Sequence, residues 1–141
     1  KFYLCLVYGK MPKEYDTISC YIKKDEKTNT VKVSKNQIEG SKKAITKYKV
    51  IKSGQQTTLL EIELLTGRTH QIRATMDFLG HSLVGETKYI KSAPKSKINC
   101  KYQALVSYKV IFDFGNDENM LSYLSGKEFK LKNPAIENMV I

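Results

Sequence analysis

"LLEIELLTGRTHQIRATMDFLG", residues 59–80, decides the fold. Its first half alternates. Leu60, Ile62 and Leu64 fall on one face and Glu61 and Glu63 on the other, the period of a half-buried strand. The second half changes period. Ile72, Met76 and Leu79 recur at i, i+4 and i+7, which predicts a helix that Gly80 ends and Thr69 caps. Thr66 and Gly67 make the turn between them. The same stretch poses a chemical question. Of 24 Lys and Arg residues only two are arginines, Arg68 and Arg73, and both lie here. His70 stands between them, and the other histidine, His81, follows shortly after.

Outward from this junction the pattern is mostly strand. Upstream, "AITKYKVI" puts Ala44, Thr46, Tyr48 and Val50 on one face with lysines opposite. "TISCYI" and "TVKVS" read as two strands joined by the charged "KKDEKTN" turn. "KFYLCLVYG" reads as a strand ended by Gly9 and Pro12. Downstream, "YQALVSYKVIFDF" places Tyr102, Ala104, Val106, Tyr108, Val110, Phe112 and Phe114 on one face. A short helix over "NMLSYLSG" is a weaker expectation. The predicted class is α+β: a largely antiparallel mixed sheet with few helices, forming one domain over 1–141.

A hydrophobic content of 41% excludes a disordered tail, and the formal charge of +10 points to a polyanionic partner, nucleic acid first. A lysine-rich surface alone could supply much of that charge. An anionic membrane surface is the other option, and the lack of a basic amphipathic helix counts against it. Cys5, Cys20 and Cys100 are far apart and odd in number, so neither a zinc knuckle nor a disulfide framework is implied, and a reducing, cytoplasmic setting is expected. No apolar run approaches a membrane span. The start at Lys1, directly into a strand, suggests a piece of a longer polypeptide.

A helix N-terminus after a glycine turn attracts anions. Arg68 in that turn and His70 beside it form a candidate phosphate grip. Arg73 lies one turn into the helix, on a face shared with His70 and Asp77. Its planar fork suits a fixed carboxylate or phosphate in a way lysine cannot. The plainer reading is that both arginines are surface charges and His70 a capping residue. The two histidines lack partners at ligand spacing, so a metal site is not expected. "GETK" lacks the first glycine of a phosphate loop.

"LLTGRTHQIRATMDFLGHSLVGETKY", residues 64–89, closely resembles the motif of the RluA-like branch of RNA pseudouridine synthases. That motif runs leucine-x-Thr-Gly-Arg-Thr-His-Gln-Ile-Arg and, after a short spacer, Gly-His-Pro-x-x-Gly-Asp-x-x-Tyr. "KFYLCLVYGK", "GSKKAITKYKVI" and "YQALVSYKVIFDF" are similar to further strands of the family, in the same order. The resemblance implies isomerisation of uridine in structured RNA, ribosomal or transfer, without metal or organic cofactor. It implies catalytic roles for Tyr3, packed on the target base, and Arg73, paired with a catalytic aspartate. Arg68, His70 and Gln71 would lie at the rim near the RNA backbone. Lys43 and Lys88 are the lysines expected to touch RNA.

The family's aspartate belongs to a His-Arg-Leu-Asp motif upstream of the tyrosine strand. Asp16, Asp25, Asp77, Asp113 and Asp117 stand in no such context. The resemblance therefore implies the C-terminal part of a catalytic domain, inactive alone. Ser82 for the usual proline, Glu86 for the usual aspartate and Val106-Ser107 for His-Ala are departures outside the expected triad. A catalytically dead RNA-binding module of the same fold is the competing expectation.

Overall fold

A computed structural model describes residues 1–111, 128–130 and 135–141. Seven strands form one sheet: β1 (Phe2–Tyr8), β2 (Tyr15–Asp25), β3 (Thr30–Ser34), β4 (Lys42–Ser53), β5 (Thr57–Leu64), β6 (Leu105–Ile111) and β7 (Glu128–Lys130). The order is β3-β2-β4-β5-β1-β6-β7, and every neighbouring pair is antiparallel. One α-helix, α1 (Gln71–Phe78), follows β5, and a 3-10 turn covers Ala135–Met139. The expected α+β class and its antiparallel sheet are what the chain forms. The weaker helix expected over "NMLSYLSG" lies outside the described residues.

β4 shows why the alternation was readable. Ala44, Thr46 and Tyr48 are buried while Lys43, Lys47 and Lys49 are exposed. In the sheet centre both faces are covered, and alternation gives way to continuous burial from Leu4 to Tyr8. Cys5 and Val7 pack with Leu60, Ile62, Ile72 and Met76 on the helix side. Leu4, Leu6 and Tyr8 pack with Leu59, Val84, Tyr108 and Ile136 on the other. Glu61 therefore does not face open solvent as its alternation suggested. It accepts hydrogen bonds from Tyr108 and Lys109.

The strand expected from Tyr102 begins later, at Leu105, and Tyr102 is exposed. Within the described part of that strand Ala104, Val106 and Tyr108 do share one side, and the pairing with β1 carries a bulge. Phe2 pairs with Lys109 and Tyr3 with Ser107, so Tyr108 is the extra residue. Positions 112–114 of that expected strand lie outside the described residues.

The segment after α1 is tied to β1. Tyr8 N–H donates to Ser82 O (3.0 Å), Val84 N–H to Leu6 O (2.9 Å) and Ala104 N–H to Val84 O (2.8 Å). Gly85 sits at φ +81°, and a Cβ there would lie 2.0 Å from the Tyr102 carbonyl oxygen. Only glycine fits that position. This packing fixes the position of the next residue, Glu86.

Candidate active site

The turn before α1 is held from inside by Gln71. Its Oε1 accepts from Thr66 Oγ1 and from the Arg68 amide, both at 2.9 Å. Its Nε2 donates to Ile45 O (3.0 Å) and Thr46 Oγ1 (2.9 Å). The amide is thus satisfied at both ends and only 2% of the residue is exposed. Gln71 was expected at the RNA rim. The structure instead makes it a buried staple between the Thr66–Arg68 turn and β4. Gln71→Ala would strand a buried turn amide and the partners on β4. We expect it to cost about 2–4 kcal/mol in thermal or denaturant unfolding.

Thr69 does not cap the helix. The N-cap is His70, at φ 52° and ψ 26°, with no side-chain cap bond. A left-handed non-glycine residue needs other contacts to hold it. Tyr89 supplies them. Its ring lies edge-on to the imidazole at 5.5 Å, and its Oη is 2.6 Å from His70 Nδ1. The same Oη accepts the Val31 amide of β3 at 3.0 Å. Tyr89 Oη thus bridges the Val31 amide and His70 Nδ1, and the tautomer of the imidazole sets which of the two side chains donates. Burial, reinforced by Arg73 and Lys88, lowers the His70 pKa.

Arg73 is gripped side-on by Glu86. Nε donates to Oε2 and Nη2 to Oε1, each at 2.6 Å. The Glu86 side chain is fully buried and that of Arg73 is 14% exposed. Glu86 Oε1 also accepts the Thr87 and Lys88 amides. Burial disfavours the carboxylate. The Arg73 hydrogen bonds and charge and those two amides together outweigh it and hold the pKa of Glu86 below the usual range. Glu86 in turn raises the Arg73 pKa. The Tyr89 ring completes the cradle, with Arg73 Cζ 5.4 Å from its centroid. Glu86 and Tyr89 are the site residues that sequence reasoning missed. Their signal was present in the Gly-Glu-x-x-Tyr end of the motif, but nothing in its spacing said which side chain the acid meets.

The side-on pair consumes the Nε edge of the guanidinium. The Nη1–Nη2 edge is the one through which a second anion can approach. Since Glu86 already balances the charge, such an anion would be held mainly by directional hydrogen bonds.

Asp77 does not join this group. It accepts from Ser82 Oγ, and from the Ser92 amide (2.9 Å) and Ser92 Oγ (2.8 Å). Burial opposes ionisation, but these bonds prevail and lower its pKa. The serine at 82, where the family is expected to carry proline, is therefore part of a loop clamp.

Tyr3 lies half-buried on the helix side of β1, packed against the cluster that contains Ile72 and Met76. Arg68 Nε donates to Lys43 O (2.9 Å), which lays its guanidinium along β4. Arg68, Lys42 and Lys24 line a polar concavity of about 360 Å³ with Gly40, Gly67 and Thr69. The Lys43 side chain is exposed. Lys88 is exposed and donates to Asn29 O (3.3 Å). The structure thus gathers Arg73, His70, Glu86 and Tyr89, with Arg68 and Lys43 as a second basic group.

The matching family is RNA pseudouridylate synthase, over residues 1–78. "Uncharacterized RNA pseudouridine synthase YlyB" of Bacillus subtilis is 35% identical over 111 residues, covering 79% of this chain and 35% of that protein. "Ribosomal large subunit pseudouridine synthase C" of Vibrio parahaemolyticus is 32% identical, covering 63% of this chain and 27% of that protein. Among solved structures, human RNA Pseudouridylate Synthase Domain Containing 1 matches with a TM-score of 0.64 and 25% identity, covering 77% of this chain and 47% of that one. The chain spans about a third of the length of these curated relatives. By its sequence match over β1 to α1, the chain belongs to the RNA pseudouridylate synthase family.

Proposed function

We propose that this chain supplies the arginine half of a site that isomerises uridine to pseudouridine in ribosomal RNA, the nucleophilic aspartate coming from residues not in this sequence. The observation that carries the reading is Arg73, fixed by Glu86 through its Nε edge, so that a catalytic carboxylate would meet the Nη1–Nη2 edge. In the reaction the N1–C1′ bond of uridine breaks, the base turns, and a C5–C1′ bond forms. The C5 proton leaves and N1 gains one, so nothing is oxidised or reduced. Arg73 would orient the aspartate, and Tyr3 would pack on the flipped base. Among the described aspartates, Asp77 is committed to Ser82 and Ser92, Asp16 on β2 pairs with Lys13, and Asp25 accepts the Lys27 amide. None of these contacts involves Arg73. Ribosomal RNA is favoured because relatives named as ribosomal large subunit synthases match this chain. Cys5 and Cys20, buried and unpaired, suit a cytoplasmic enzyme.

The test uses the gene product that carries this sequence and large-subunit RNA tritiated at uridine C5. Release of tritium is expected, because C5 loses its hydrogen when it bonds to carbon. RNA binding without release would leave a non-catalytic RNA-binding module. In the same assay Arg68→Ala is expected to weaken binding and flatten the slope of log affinity against log salt by about 0.7–0.9, the value for one phosphate contact. An unchanged slope would remove Arg68 from the phosphate path.

A further inference from the structure

A second concavity lies on the far side of Tyr89. It measures about 590 Å³ and runs between the outer edge of β3 and the last turns of α1. Thr30 to Val33 form one wall, Ala74, Asp77 and Phe78 the other, and residues 88–92 close the end. Its size is that of a small-ligand site. Three features set its chemistry. Lys32, Lys88 and Lys91 line it and are all exposed. Phe78 is 47% exposed, a large apolar ring left at a basic groove. Among the described residues the one carboxylate lining the groove, Asp77, is occupied by Ser82 and Ser92.

An exposed aromatic among lysines is the composition of a single-strand nucleic-acid surface: a ring to stack on and cations to follow the backbone. A peptide adding to the β3 edge is the alternative for such a groove. Strand addition needs the outward amides of β3, and the Val31 amide is already taken by Tyr89 Oη. Three lysines without an open carboxylate also favour a polyanion over a neutral strand. Tyr89 lines the groove and its ring lies over Arg73, so the groove adjoins the Arg73 cradle.

We propose that this groove is a second RNA subsite, holding a single-stranded nucleotide that flanks the target uridine. Its base lies on Phe78 and its phosphates lie among Lys32, Lys88 and Lys91. The inference rests on the RNA reading above and goes beyond it in naming where the flanking strand runs.

The test is the affinity of the gene product for a fluorescent oligouridine, measured across salt concentrations. Phe78→Leu is expected to weaken binding about five- to a hundredfold. Phe78→Trp, which keeps a stacking face, is expected to restore it. Lys32→Glu with Lys91→Glu, both surface changes, is expected to weaken binding and flatten the salt slope by about 1.4, two single-strand phosphate contacts. Wild-type affinity in Phe78→Leu together with an unchanged slope in the lysine pair overturns the subsite. If that result accompanies normal tritium release by the wild type and none by Arg73→Lys, only the subsite fails. If the wild type neither binds RNA nor releases tritium, the RNA reading fails with it.

Discussion

Arg73→Lys in the gene product is expected to reduce pseudouridine formation by about a hundredfold or more while RNA affinity changes little. Lysine keeps the charge but not the fork. It cannot hold Glu86 through two parallel bonds and present a second edge to another carboxylate. Because Glu86 already neutralises Arg73, the loss is one of geometry, and it falls on the chemical step rather than on binding. The measurement is single-turnover tritium release at saturating protein, with affinity followed separately. A fall in affinity equal to the fall in rate would show Arg73 to be an RNA contact and not a clamp on the nucleophile.

Glu86→Gln is expected to be the most destabilising single change at the site. It leaves the guanidinium of Arg73 largely buried without its counter-charge. Breaking one side of a buried pair costs about 3–5 kcal/mol. For a domain of this size that corresponds to a fall of roughly 6–20 °C in melting temperature. The pH dependence carries the same signature. The folded pKa of Glu86 lies below its unfolded value. The unfolded chain therefore binds the proton first as pH falls. The stabilisation is fully present above the ordinary glutamate range and is lost as pH drops through the folded value. Melting curves of the wild type should lose stability over that acid window. Those of Glu86→Gln should be flatter there, because the titrating group is gone. Glu86→Asp keeps the charge on a shorter stem and is expected to retain measurable activity. If Glu86→Gln melts like the wild type, the pair is not what holds Arg73.

The strands were legible where one face of the sheet is wet. In β4 the lysines and the buried Ala44, Thr46 and Tyr48 alternate because solvent enforces the pattern. The legibility failed where tertiary contacts override local preference. Glu61 looked solvent-facing, but β5 is covered on both sides and Tyr108 meets the carboxylate. Tyr102 looked like the start of a strand, but β6 begins at Leu105 and the Tyr102 backbone packs against Gly85 instead. Thr69 had the chemistry of a cap, yet Tyr89, nineteen residues on, holds His70 in the cap position instead. At the site, Arg73's preference for a fixed carboxylate or phosphate was visible in the residue type. Which carboxylate it meets depended on how Gly85 packs against Tyr102, a contact no local pattern encodes. Gln71 misled because a polar side chain beside two arginines reads as surface. Only the backbone of Arg68, Ile45 and the hydroxyls of Thr46 and Thr66 show that its polarity is spent internally.

The central place of β1 has a consequence for how the chain is made. β1 leaves the ribosome before either of its sheet partners. It must wait for β5, whose pairings lie from 49 residues (Tyr8 to Thr57) to 61 residues away (Phe2 to Glu63), and then for β6. At ordinary synthesis rates that is roughly three to twelve seconds for β5 alone. β2 pairs with β3 and β4, and β4 with β5, all within residues 15–64, so these four strands can assemble in the meantime. Throughout that interval "FYLCLVY" lacks both sheet partners, an apolar strand with a call on a chaperone during synthesis.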